Sequence, residues 1–102
     1  MTDTRITSAG FVVYQSGYAI FGYGDTVAAA ITEANKWVDP QESLTANDVL
    51  SSRGLREIDG QMYSMPATAA LIDQVKTSGG EVAWGSVDGI ACTVAQEDAS
   101  FA

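Results

Sequence analysis

The chain has no histidine, a single cysteine, and 13 acidic against five basic side chains, for a net charge of −8. Histidine is the commonest general base and the usual zinc ligand, so its absence removes every Ser/His/Asp or Cys/His arrangement and most zinc chemistry. Carboxylates are what is left for acid–base work, and no spacing singles out a pair. They read instead as a solvated acidic surface. Cys92 lies between Ile90 and Val94 in an alternating apolar run, the setting of a small buried residue and not of a reactive thiolate. Gly22-Tyr23-Gly24, leading into a helix, stands where a phosphate cradle would. The full GxGxxG spacing is missing, however, and Asp25 would repel phosphate, so the stretch reads as a strand-to-helix turn. Asp39, Glu42 and Asp48 lie in or beside one connector without the alternating acids and central glycine of a calcium loop. The expectation is a chain with no catalytic site, no cofactor and no metal.

The same balance of charge speaks to partners. A strongly acidic chain is not drawn to DNA, RNA or anionic membrane surfaces. No window approaches the ~18–20 apolar residues of a membrane span, and 1–5 lead into no signal-peptide core. With one cysteine there is no internal disulfide, which together with the missing leader points to the cytoplasm. At 102 residues, 46% hydrophobic and 18% charged, the composition is that of one folded domain, with loose ends expected near 1–8 and 96–102.

The elements follow from periodicity and turn chemistry. Phe11-Val12-Val13-Tyr14 and Tyr18-Ala19-Ile20-Phe21 are two β-favouring runs around Gln15-Ser16-Gly17, a hairpin with a bulge. Asp25 suits a helix N-terminus, and Val27, Ile31, Ala34 and Val38 make its core-facing stripe, with Trp37 widening it and Asp39-Pro40 ending it. Thr45 with Asp48 three residues on, and Leu44 with Val49 around them, predict a capped and stapled short helix over 46–53 that stops at Gly54. Asp59-Gly60 predicts a type I′ turn between strands over 55–58 and 61–65. Pro66 then opens a helix buried through Ala67, Leu71 and Val75 and ended by Gly79-Gly80. A third hairpin turns at Asp88-Gly89, with Val82 and Trp84 facing Ile90, Cys92 and Val94. The predicted fold is α+β, an antiparallel sheet built from hairpins in the order ββα-α-ββα-ββ with its two main helices on one face.

Trp37 and Trp84 are assigned to the core, whereas Tyr23 and Tyr63, beside turns and acids, are the tyrosines placed at the surface. In length, acidity and lack of a catalytic pattern the chain resembles the small inhibitor proteins of phages and mobile elements, among them anti-CRISPR and antirestriction proteins. That resemblance lies in size and charge and carries over no residue. It implies a non-enzymatic inhibitor that binds a protein or ribonucleoprotein with a basic surface, such as a CRISPR effector, and blocks the channel where nucleic acid lies. Carboxylates would take the place of phosphates against Lys and Arg. The acids are scattered and form no phosphate-like run, which favours occlusion by an aromatic and acidic patch, assigned to Tyr23, Asp25, Asp39, Glu42, Glu57, Asp59 and Tyr63. Two alternatives stand beside it, a structural module that dimerises through an uncovered sheet face or edge, and a histidine-free enzyme using paired carboxylates.

Overall fold

A computed structural model describes residues 7–16, 19–38, 41, 43–45, 47–52 and 58–100. The elements are β1 (Gly10–Gln15), β2 (Ile20–Gly24), α1 (Val27–Ala34), β3 (Val49–Ser51), β4 (Met62–Ala67), α2 (Ala69–Ser78), β5 (Trp84–Val87), β6 (Ile90–Thr93) and α3 (Val94–Ser100). They form an α+β fold around one open six-stranded sheet of order β2-β1-β4-β6-β5, with β3 also paired to β4. Two local hairpins are present; the turn of the first, at Gly17 and Tyr18, lies outside the described residues, and its second strand starts at Ile20 and not at Tyr18. β1 and β2 are antiparallel with the register shifted between Val13 and Tyr14, and β5 and β6 are joined by Asp88 (φ 53°) and Gly89 (φ 80°), both left-handed as a type I′ turn demands. Two other pairings are parallel, β3 with β4 and β6 with β4, so the sheet is mixed and not purely antiparallel.

Alternation along β1 decides where the helices go. Val12 and Tyr14 join Tyr63, Met65, Leu71, Ile72 and Val75 in one core, under α2. Val13 points the other way and joins Ala30, Ile31, Ala34, Val49 and Met62 in a second core, under α1. The two main helices therefore cover opposite faces, where the sequence pattern predicts one shared face. Burying both faces accounts for the apolar residues found at consecutive positions of β1. α1 comes close to β2 because Gly22 and Gly24 have no side chains in the way. A Cβ on Gly22 would lie 2.2 Å from the Ala30 carbonyl oxygen, and one on Gly24 would lie 2.7 Å from Ala29 Cβ. The glycines that stand where a phosphate cradle would are thus the floor on which α1 rests.

Several predicted boundaries move, each for a visible reason. Thr26, not Asp25, caps α1, its hydroxyl accepting from the Ala29 N–H. The helix stops four residues short of Val38 because Asn35 turns its amide to the backbone of Leu44, accepting from that N–H at 2.7 Å and donating to that carbonyl at 3.0 Å. The next residues wind in tighter i→i+3 turns, and Trp37 swings outward to 75% exposure instead of entering the core. Of the predicted helix over 46–53, residues 47–52 hold a turn and β3 instead, while Ala46, Arg53 and the stop at Gly54 lie outside the described residues. Half of its capping box forms, the Thr45 N–H and hydroxyl both donating to the Asp48 carboxylate, which holds that carboxyl below its ordinary value. The Asp48 N–H, however, returns to the Thr45 carbonyl and closes a turn, and Val49 is drawn into the sheet beside Met62.

Both edges of β4 are then taken, one by β1 and the other by β3 and β6 in succession, which leaves no edge for a hairpin strand before Asp59. Of that predicted strand, residues 55–57 lie outside the described residues. Gly60 alone has positive φ in its turn, so the geometry there is not type I′. Pro66 lies in β4 opposite Phe11, and Thr68 caps α2 instead, its hydroxyl accepting from the Leu71 N–H. Residues 94–100 form a helix, Val94 where the strand pattern runs on and 96–100 where a loose end is predicted. Thr93 and Gln96 make a reciprocal capping box, the Gln96 N–H donating to the Thr93 hydroxyl and the Thr93 N–H to the Gln96 side-chain oxygen. That oxygen also accepts from the Thr68 hydroxyl, tying α3 to the start of α2.

Candidate partner-binding surface

The most exposed aromatic side chain among the described residues borders an open groove of about 510 Å³ along the outer side of β2, the terminal strand of the sheet. One wall is the end of α1 with Glu33 and Trp37, the other is the end of α2 with Val75 and Lys76, and Phe21 and Tyr23 of β2 stand between. The bulge in β2 sends Phe21 toward the α1 side while Ile20 and Tyr23 face the α2 side, so apolar surface is shown on both flanks of one strand. Glycine closes the far end. The Ile20 N–H donates to the Gly80 carbonyl at 2.9 Å, and the approach is so close that no side chain fits on Gly80.

Three charged residues line it, Glu33, Lys76 and Glu81. Lys36 reaches Glu33 at 2.7 Å, the only ion pair among the described residues, and that contact raises the lysine's pKa. Lys76 lies 5.5 Å from the centre of the Tyr23 ring, a cation–π contact on the α2 wall. The groove is thus aromatic and locally balanced, while the acid excess is spread over the rest of the surface, where Asp25, Asp48, Asp59, Asp73, Asp88 and Asp98 are all exposed.

Of the predicted patch, Tyr23 lines this groove and Asp25 follows it at the end of β2. Asp59 sits at the opposite end of β1. Gly24 pairs with Phe11, whereas the Gly60 N–H bonds to Ser16, five residues or about 17 Å further along the strand. Tyr63 is not at the surface. It is 6% exposed, stacked against Tyr14 with ring centres 6.0 Å apart, and its hydroxyl accepts from the Ile58 N–H. Tyr14 in turn meets Trp84 edge-on at 4.8 Å, so these three rings form the aromatic part of the core under α2. Asp39, Glu42 and Glu57 lie outside the described residues. The residue missed by sequence reasoning is Trp37, whose helical spacing with Ala34 places it inward as long as the helix runs on to Val38.

Cys92 is fully buried, and burial, with Glu97 nearby, pushes its thiol above the ordinary range, against thiolate chemistry. Glu97 lies over Gly85 in the facing strand and accepts from the Ser86 N–H at 3.0 Å. Among the described residues no three acidic or cysteine side chains converge as metal ligands, and no helix is long and apolar enough to cross a membrane. No family model, curated protein or solved structure matches the chain.

Proposed function

We propose that this chain is a small acidic protein-binding module that inhibits by occupation, docking on a partner whose basic surface handles nucleic acid. The observation that carries the reading is Trp37, 75% exposed at the rim of an aromatic groove. An exposed tryptophan is large, stiff and poorly hydrated, and tryptophan is among the residues most enriched where interfaces concentrate their energy. Tyr23 and Phe21 extend the contact, and Lys36 and Lys76 are already engaged by Glu33 and Tyr23. The class of partner follows from charge. A net charge of −8 steers encounter toward cationic surfaces and away from nucleic acid itself.

The test is an affinity capture from bacterial lysate with the tagged chain, eluted in a salt gradient and challenged with nucleic acid. The reading expects a nucleic-acid-binding complex that leaves as salt rises and that nucleic acid displaces. Trp37→Ala should weaken that complex by about 10- to 100-fold. Because the side chain is exposed, the same substitution should change folding stability by no more than about 0.5 kcal/mol, read from thermal melts of both proteins. Self-association alone, insensitive to salt, would replace the proposal with a dimerising module, since a terminal strand such as β2 can also pair with a second copy.

A further inference from the structure

α1 covers only part of its face of the sheet. It rests on β2 and β1, and beyond it Phe11, Ser64 and Pro66, which alternate with the residues buried under α2, floor a second open groove of about 580 Å³. Val27 of α1 forms one wall, and the Asp88-Gly89 turn forms another. This groove differs from the first in its charge. Among the described residues Asp88 is the one ionisable group lining it, and both lysines stand at the other groove. Asp25 follows directly on the Gly24–Phe11 pair and precedes Val27 by two residues, so a second carboxylate stands near that wall.

The lining defines its complement. An apolar floor with a phenyl and a proline ring accepts an aliphatic stem or a flat delocalised cation. The hydroxyls of Ser51, Ser52 and Ser64 add acceptors, and a carboxylate at the rim supplies the opposite charge. A guanidinium meets all of these at once, because it stacks on aromatic faces, pairs with a carboxylate through two parallel N–H bonds, and is weakly hydrated. We infer that this groove receives an arginine side chain, with Asp88 as its carboxylate partner and Phe11 as its stacking face. The inference rests on the protein-binding reading above and gives the partner's basic surface a specific contact, on the opposite face of the sheet from α2.

Nuclear magnetic resonance titration tests it with a blocked hexapeptide of alternating arginine and glycine, and with its lysine counterpart. The expected result is saturable shifts at the amides of Phe11, Ser64 and Gly89, with the lysine peptide at least about threefold weaker. Asp88→Asn keeps a residue that tolerates the left-handed turn and should fold normally while losing about tenfold in arginine-peptide affinity. Shifts confined to Trp37 and Tyr23, or equal binding by Asp88→Asn, would overturn the inference. The two readings fail separately. A captured partner that depends on Trp37 but is indifferent to Asp88→Asn leaves the binding function standing without this groove. Arginine binding at Asp88 with no captured partner does the reverse.

Discussion

Gly22→Val is expected to cost about 3 kcal/mol or more and to lower the melting temperature by about 12–24 °C or more. The position offers no space. A first side-chain carbon there would lie 2.2 Å from the Ala30 carbonyl oxygen, 2.5 Å from the Ala34 nitrogen and 2.9 Å from the Ala34 Cβ. The first two neighbours are helix backbone, so no rotamer change relieves the clash and α1 must lift off β2 as a body. Lifting it uncovers Val13, Ile31, Val49 and Met62 together, because α1 is the lid on that core. Domains of this size are stable by roughly 5–15 kcal/mol, so the loss is a large share of the total. Circular dichroism melts of the two proteins would decide it, and an unchanged midpoint would mean that α1 is not seated on β2 as described.

Leu71→Ala is expected to cost about 2–5 kcal/mol, with a melting temperature lower by about 8–40 °C. Leu71 is fully buried on α2, among the largest side chains with no exposure, and packs in the core shared by Val12, Tyr14, Met65 and Val75. The removed methyl and methylene groups leave a void that those strand residues cannot fill by small shifts, because they are fixed in register with one another. Exposed Leu50 on β3 is the control. Its truncation should change stability by about 0.5 kcal/mol or less. Equal effects at the two positions would contradict the placement of α2.

What the sequence made legible was local. Two of the three predicted hairpins are present, and that of β5 and β6 has its turn written in adjacent residues, Asp88-Gly89, where both backbone positions need the left-handed region. The buried face of α2 was readable from the spacing of Leu71, Ile72 and Val75. What was not legible was long-range. Thr45 and Asp48 carry a helix-start pattern that is partly realised, yet the pairing of Val49 with Met62 across a parallel ladder has no local signature and prevails. An amphipathic stripe shows that a helix is buried on one side but not which face of a sheet receives it, and so α1 and α2 were not separable by pattern alone. Trp37 was misplaced for a related reason. The side chain of Asn35, held by Leu44, ends the helix before the stripe does.

One signal was readable and passed over. Thr93-Val94-Ala95-Gln96 has the spacing of a capping box, but the alternation Ile90, Cys92, Val94 argued for strand through the same residues. For the candidate surface the acids were visible and their neighbours were not. Asp25 and Asp59 stand at opposite ends of a strand, and Tyr63 is in the core, because alternation along β4 turns it toward Tyr14.

The way β6 joins the sheet has a consequence for how the chain opens. β1 and β4 are matched from Gly10 opposite Ala67 to Gln15 opposite Met62, whereas β6 meets β4 only where Ala91 faces Ala67. Beyond that rung the last hairpin and α3 are held by the Thr68 bonds to Ala91 and Gln96, by Trp84 against Tyr14, and by the burial of Ala91 in the core under α2. A unit that shares only one ladder rung with the sheet is expected to detach before the long ladder opens, so its amides should trade hydrogen for deuterium through a partial opening. The amides of β1 and β4 exchange only when the whole chain unfolds, and the gap between the two rates measures how independent the C-terminal unit is.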